Sequence, residues 1–148
     1  PRLRVACVKA MRARRAPLAA GSAPFVTPGF ALPCRWVVHV TGPELESAQT
    51  EGEGPSPLQR TQLAAAYTQS LDAAETSGAR SIAFPCISTG LYGFPKVEAA
   101  AIAVRTVMSW LLASSSRCPS KGHSLTRVVF ATFTDEDTAA YEAEVGSR

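Results

Sequence analysis

Long apolar runs, paired cysteine motifs and early acidic residues are all missing from this 148-residue sequence. No apolar run approaches the roughly 20 residues that a membrane-spanning helix needs. None of the four cysteines forms a C-x-x-C pair, the spacing typical of many zinc and redox motifs. The basic start is not followed by a continuous apolar stretch, so we expect no secretory signal. Together these absences predict an intracellular protein of the cytoplasm or nucleus with reduced thiols.

The charge is unevenly distributed along the chain. Residues 1–43 carry seven basic side chains and no acidic one, whereas the remainder carries eight basic and twelve acidic side chains. A basic segment can meet phosphate or nucleic acid. Aromatic residues do not interleave with these charges as base-stacking platforms would. We therefore interpret the segment as a solvated helix face and expect neither nucleic acid nor a membrane as a partner.

Hydrophobic periodicity predicts strands that alternate with helices. Ser56 and Pro57 are typical of an N-cap and a first helical residue, and Gly78 is typical of a helix end. The order predicts an α/β fold with a largely parallel sheet in one domain, residues 1–148. The helices are predicted over 2–14, 57–77, 95–112 and 136–145, and the strands over 25–26, 34–40, 81–87 and 125–133. The apolar run at 81–87 is typical of a strand covered on both faces.

A small loop rich in glycine and hydroxyl groups, STGLYGF at residues 88–94, follows the third predicted strand. Ligands of open α/β sheets bind beyond the carboxyl ends of strands. Gly90 and Gly93 allow a positive φ and a close backbone approach to a ligand. Successive N–H groups ahead of a helix form a nest for anions.

The side chains of this loop refine the prediction. Ser88 and Thr89 add hydroxyl donors, and Tyr92 and Phe94 could wall a site. No lysine lies within the loop, which disfavours a Walker-type phosphate loop and favours a diphosphate held by neutral donors. The alternative is that the loop is only a strand-to-helix turn.

Residues 81–107, SIAFPCISTGLYGFPKVEAAAIAVRTV, resemble the diphosphate-loop signature of macrodomains, α/β/α modules that bind ADP-ribose. The segment VTPGFALPCRWVVHVTGP at 26–43 is similar to the family's stretch that ends in H-x-x-G-P, and VVFATFTDEDTAAYEAEV at 128–145 resembles its last strand and helix. The resemblance implies a three-layer α/β/α sandwich with a mixed, largely parallel sheet. It also implies ADP-ribose, or a mono-ADP-ribosylated protein, as the partner.

The same resemblance implies which residues contact the ligand. Tyr92 would cover the distal ribose, and Phe133, at the end of the last strand, matches the position that offers an aromatic face to adenine. The alternative for Phe133 is ordinary core packing. The full set of expected ligand contacts is Ser88, Thr89, Gly90, Leu91, Tyr92, Gly93, Phe94 and Phe133.

Family members normally begin with two or more strands before the first helix of this chain. Those strands carry an acidic residue, an N-A-A-N segment and the glycine-rich catalytic loop of the hydrolytic branches. This chain contains no asparagine, and its first acidic residue is Glu44. We therefore expect a macrodomain that is incomplete at the N-terminus, less stable than a full one and prone to associate.

The segments LRVACVKAM and FTDEDTAAYEAEV are most similar to the zinc-dependent ADP-ribosyl hydrolase branch. The resemblance implies zinc ligands upstream of Pro1 and none in this chain. Cys34 and His39 are five residues apart on one predicted strand, so they point to opposite faces. We expect His39 to pack and hydrogen-bond within the core.

The expected function of the intact protein is removal of ADP-ribose from modified proteins, with this chain alone inactive. Hydrolysis needs a positioned water and a base or a metal. The sequence identifies no catalytic residue, because we interpret Glu98 and the acidic run 135–137 as helix caps or solvated groups. The alternatives are a module that binds ADP-ribose or a related nucleotide without turnover and a degenerate scaffold without a ligand.

Overall fold

The computed structural model describes residues 2–46, 49–117 and 124–146. Its helices and strands follow the predicted order, with a short π-helical turn at Gln49–Glu53 before the second helix. The helices are α1 (Arg2–Arg14), α2 (Pro57–Thr76), α3 (Lys96–Arg117) and α4 (Asp135–Gly146), and the strands are β1 (Phe25–Pro28), β2 (Trp36–His39), β3 (Ser81–Pro85) and β4 (Arg127–Ala131). Of the helices in the described ranges, none has the length and apolar character needed to cross a membrane.

Helix α2 begins where the sequence predicts. The Ser56 hydroxyl accepts a hydrogen bond from the Gln59 N–H at 3.3 Å, and the Gln59 side chain accepts one from the Ser56 N–H at 2.8 Å. This capping box satisfies two backbone donors at the helix start and stabilises it by about 1 kcal/mol. Beyond the helix, Gly78 adopts a φ of 67°, which confirms it as the stop.

The strands form two hydrogen-bonded pairs. β1 and β2 are antiparallel, from Phe25 opposite His39 to Pro28 opposite Trp36. β3 and β4 are parallel, from Ser81 opposite Arg127 to Pro85 opposite Ala131. Helix α2 contacts both β2 and β3, so one helix covers both pairs.

The core lies where α2 and α3 meet the β3–β4 pair. The side chains of Leu63, Tyr67 and Leu71 on α2 have no exposed surface. On α3 one stripe of apolar residues is buried: Ala99, Ile102, Ala103, Val107 and Trp110. Helix α3 packs between α2 and α4, which ties the C-terminal helix to the same core.

The structure differs from the prediction in the bounds of several elements and in the burial of one strand. The predicted loop over 114–124 is helical up to Arg117, and residues 118–123 lie outside the described residues. The prediction that the strand at 81–87 is covered on both faces is wrong. Ser81, Ala83 and Pro85 are exposed while Phe84 is buried, because only one face of this strand packs on the helices.

Candidate ligand-binding site

The loop at 88–94 lies at the carboxyl ends of β3 and β4. β3 and β4 end side by side, since Pro85 is paired with Ala131. The Cys86 thiol is hydrogen-bonded to the backbone of Phe133, which places Phe133 next to the start of the loop. The predicted loop and the predicted adenine-stacking residue therefore share one edge of the sheet.

The backbone of the loop closes on itself. Phe94 N–H donates to the Ser88 carbonyl, and Gly93 N–H donates to the Gly90 carbonyl, both at 3.0 Å. Gly93 uses the freedom that glycine has and adopts a φ of 67°, and Ser88 has a φ of 68°. Gly90 lies outside the left-handed region. The left-handed conformation falls instead on Ser88, where a non-glycine residue is strained.

Three successive backbone N–H groups of the loop indicate where an anion would bind. Within residues 2–46, 49–117 and 124–146, no hydrogen bond engages the N–H groups of Gly90, Leu91 and Tyr92. The Ser88 hydroxyl is buried and likewise has no partner in that part of the chain. A side chain added at Gly90 would meet no atom within 4 Å, so the approach to these donors is open. N–H groups without a partner ahead of helix α3 are what an anion nest requires, and anion binding there stays a prediction.

The segment after β2 supports this loop through close contacts. A Cβ atom on Gly42 would lie 2.2 Å from the Ser88 hydroxyl oxygen and 2.5 Å from the Ile87 Cγ2. Leu45 N–H donates to the Tyr92 carbonyl at 3.0 Å. The H-x-x-G-P stretch therefore needs its glycine so that it can lie directly against the loop.

The side chains of the predicted site differ in how far they are exposed to solvent. Phe133 is 96% exposed, so core packing does not explain it, and Leu91 is fully exposed. Tyr92 keeps about a third of its surface in solvent. The expectation that the Phe94 side chain contacts the ligand is corrected, because this residue is 1% exposed. Its ring packs in the core, where it anchors the end of the loop.

The loop rests on a buried pair of tyrosines that the sequence analysis did not identify. The Tyr67 and Tyr141 hydroxyl oxygens are 3.2 Å apart, and Ile87 N–H donates to Tyr67 at 3.4 Å. Burial raises the pKa of Tyr67 to about 12 and also raises the pKa of Tyr141. Both phenols stay neutral at physiological pH and support the loop through hydrogen bonds.

The charged groups around α4 are already paired. Lys96 contacts Glu136 at 2.8 Å and Asp137 at 3.3 Å. Asp137 accepts hydrogen bonds from the Thr134 hydroxyl and N–H, and the hydroxyl contact is the largest cause that lowers the Asp137 pKa. The Thr134 hydroxyl in turn accepts from Asp137 N–H at 3.1 Å, which confirms Asp137 as part of a helix cap.

Glu98, the acidic residue in the first turn of α3, is paired as well. Its carboxylate forms an ion pair with the Arg60 guanidinium of α2. Neither Glu98 nor Asp137 is therefore placed to activate a water at the loop without breaking a contact.

His39 packs and hydrogen-bonds as the sequence predicts. Its Nε2 lies 2.9 Å from the Thr27 hydroxyl oxygen and 3.6 Å from the Cys7 sulfur, and its ring stacks on Phe25. Burial lowers the pKa of His39, so the imidazole is neutral at pH 7. Cys34 lies before β2 and is exposed.

The comparison with family models identifies the fold. Residues 1–103 match the model of the Macro domain family. The chain belongs to the macrodomain family. The α/β architecture with a mixed sheet, implied by the sequence resemblance, is thereby confirmed.

Two curated relatives carry names that state an activity. A probable bifunctional ADP-ribose hydrolase/ADP-ribosyltransferase of Fusarium oxysporum f. sp. cubense is 43% identical over 151 residues, covering 99% of this chain and 24% of that protein. A protein-ADP-ribose hydrolase of Treponema medium is 40% identical over 116 residues, covering 78% of this chain and 39% of that protein. This macrodomain chain thus spans less than half the length of either relative.

Solved macrodomains have the same fold. An Oceanobacillus iheyensis macrodomain with ADP superposes with a TM-score of 0.81 at 30% identity, covering 99% of this chain and 70% of the solved one. A Trypanosoma brucei macrodomain in complex with ADP-ribose superposes with a TM-score of 0.66 at 29% identity, covering 86% and 47% of the two chains.

Proposed function

We propose that this chain binds ADP-ribose through the loop at 88–94 and Phe133, and that the polypeptide carrying it removes ADP-ribose from modified proteins. The observation that carries the proposal is the row of N–H groups at Gly90, Leu91 and Tyr92, which have no partner among the described residues, beside the Ser88 hydroxyl, which has none there either. The ligands and activities in the names of the relatives support the substrate class.

The diphosphate fits the loop because all the available donors are neutral and clustered. Backbone N–H groups at a helix start stabilise an anion through hydrogen bonds and through the positive end of the helix dipole. The nearby Lys96 is held by carboxylates of α4. The negative charge is therefore balanced by backbone dipoles rather than by a cationic side chain.

The two ends of ADP-ribose are assigned to aromatic side chains. The exposed Phe133 ring offers a face for adenine, and base stacking on such a ring is worth about 1–3 kcal/mol. Tyr92, which ends the row of N–H groups and keeps about a third of its surface exposed, is assigned to the distal ribose. Leu91, fully exposed at the middle of the loop, closes over the ligand.

A second candidate function, binding without turnover, suits residues 1–148 on their own. Glu98 and Asp137 are occupied by an ion pair and a helix cap, so neither serves as a free base. Within the described ranges no three His, Cys, Asp or Glu side chains lie together as metal ligands would. These residues do not fit a zinc ion, and zinc ligands outside residues 1–148 remain a prediction. We therefore assign hydrolysis to the longer polypeptide.

Calorimetry with ADP-ribose tests the binding proposal. We expect Gly90→Glu to abolish the heat of binding while leaving the fold intact, because the new carboxylate enters open space among the diphosphate donors. Gly146→Glu is the matched control, since a side chain there also meets no atom within 4 Å and lies at the end of α4. The absence of binding heat from the unsubstituted chain at millimolar ADP-ribose would overturn the proposal.

Release of ADP-ribose from a mono-ADP-ribosylated protein tests the catalytic proposal. We expect the longer polypeptide to release it and residues 1–148 to bind it without release. Turnover by residues 1–148 alone would show that the chain contains a catalytic group that we have not recognised.

We also propose an intracellular location, in the cytoplasm or nucleus. Cys7, Cys34 and Cys86 are free thiols, which suits a reducing compartment. Cell fractionation with an antibody against the chain tests this, and recovery in the secreted fraction would contradict it.

A further inference from the structure

Helix α1 presents a positively charged surface to solvent, which we call the basic face. The exposed side chains that form it are Arg2, Arg4, Val5, Val8, Lys9 and Arg12. Within the described residues, none of its four cations forms an ion pair with a carboxylate. The first acidic residue of the chain is Glu44, so no neighbour along the helix offsets this charge.

Two valines distinguish the basic face from a row of solvated charges. Val5 is 67% exposed and Val8 is 44% exposed. Both lie on one side of the helix with Arg12, because residues three and four apart are neighbours on a helix surface. A phosphate backbone would pair with the cations but would leave the two valines uncovered. The basic face therefore fits a partner that offers both carboxylates and apolar groups.

Helix α4 presents a surface of the opposite charge, which we call the acidic face. The exposed side chains that form it are Asp135, Ala139, Glu142 and Ala143. In the described part of the chain, neither Asp135 nor Glu142 forms an ion pair, since the nearby Lys96 contacts Glu136 and Asp137 instead. The two alanines leave a shallow groove between the carboxylates, and the valine ridge of α1 fits such a groove.

The two faces match in length as well as in charge. Helix α1 has 13 residues and α4 has 12, so they are about 20 Å and about 18 Å long. Antiparallel docking with Arg12 beside Asp135 brings Val8 against Ala139. The other cations of the basic face then surround Glu142. The same orientation places the negative end of the α1 dipole next to the positive end of α4.

The matching faces belong to different copies of the chain. Both are exposed in the single chain, because α1 packs on β1 and α4 packs on α3. Like charges disfavour the contact of α1 with α1, or of α4 with α4. We propose that the basic face of one copy docks on the acidic face of a second copy, in a head-to-tail contact. This proposal is independent of ADP-ribose binding by the loop at 88–94.

Sedimentation velocity of residues 1–148 tests the proposal. One pair of short helices is a small interface, so the association should be weak and should depend on concentration. At about 0.02 M salt we expect the average mass to rise between about 0.01 mM and about 1 mM protein. At about 0.5 M salt the dissociation constant should increase at least about tenfold, because salt screens the charges across the contact.

Charge reversal locates the contact on the two helices. Lys9→Glu with Arg12→Glu reverses the basic face, and Asp135→Lys with Glu142→Lys reverses the acidic face. Each double variant alone should raise the dissociation constant at least about tenfold. An equimolar mixture of the two should associate again, because each reversed face meets the opposite charge on the other variant.

The matched control is Arg105→Glu with Arg127→Glu. It makes the same change in net charge as the variant of the basic face, on exposed residues outside both faces, and should keep the association. Unchanged amide exchange in α2 and α3 shows that each variant is folded. If a variant does not fold, amide shifts of the unsubstituted chain still decide. Those that change with protein concentration should be largest in both α1 and α4.

Three results would overturn the proposal. The first is a chain that stays monomeric at about 1 mM in low salt. The second is association that both double variants retain, which would assign it to another surface. The third is a chain that stays monomeric but binds a short DNA duplex through α1, which would assign the basic face to nucleic acid.

Discussion

Replacing Gly42 with alanine tests how the segment after β2 supports the ligand loop. The new Cβ would lie 2.5 Å from the Ile87 Cγ2, about 1 Å closer than an ordinary carbon–carbon contact. It would also lie 2.2 Å from the Ser88 hydroxyl oxygen. Relief of these overlaps requires Ser88 to move, and such overpacking costs about 1–3 kcal/mol of folding stability.

The same movement should weaken ligand binding. Ser88 sets the start of the row of free N–H groups, and each hydrogen bond to a charged group is worth about 1.5–3 kcal/mol. Loss of one such bond lowers the affinity for ADP-ribose by about 10- to 100-fold. Calorimetry measures the affinity, and urea unfolding measures the stability.

The control for this prediction is Gly146→Ala, whose added Cβ meets no atom within 4 Å. We expect it to leave the affinity unchanged. Destabilisation of Gly42→Ala without loss of affinity would show that Ser88 does not help to hold the ligand. An alanine at 42 without any effect would refute the packing argument itself.

Three further predictions concern separate contacts. Ser56→Ala should lower the urea-unfolding free energy by about 1 kcal/mol, because it removes the capping hydroxyl from Gln59 N–H; an unchanged value would contradict the cap. Phe133→Ala should weaken ADP-ribose binding by about 1–3 kcal/mol with unchanged stability, because the ring is 96% exposed, and equal affinity would remove it from the site. The folded-state pKa of Asp137 is lowered, so its stabilising contribution is present above the unfolded pKa of about 3.8 and is lost as pH falls. The free energy of unfolding of Asp137→Asn should therefore fall less steeply between about pH 5 and pH 2 than that of the unsubstituted chain. An identical dependence on pH in both proteins would refute this.

Local signals in the sequence predicted the parts of the fold that depend on neighbouring residues. The start of α2 follows from Ser56 and Pro57, and its end follows from Gly78, because caps and stops are set within one turn. β1 was predicted two residues too short, and the other three strands were predicted two to four residues too long. Cys34 has a strand-like neighbourhood but lies in the turn before β2, since tertiary pairing decides where a strand begins.

The details of the candidate site depend on contacts that are distant in sequence. The position of the loop could be predicted, because it follows a strand end. The assignment of Phe133 to the site is implied by the resemblance to macrodomains and stays a prediction. The left-handed conformation of Ser88 could not, since that conformation usually falls on glycine. The burial of Phe94 and the paired state of Glu98 depend on α2 and α3 meeting in space. Neither follows from the pattern of one segment.

Titration of isotope-labelled residues 1–148 with ADP-ribose, followed by backbone amide NMR, tests the central claim most directly. The account predicts that the largest shift changes occur at the amides of Gly90, Leu91 and Tyr92, whose N–H groups are free within the described chain. Smaller changes are expected at Phe133, and none at the end of α4. Saturating ADP-ribose that leaves the three loop amides unmoved, while shifting others, would contradict the assignment of this loop as the diphosphate site.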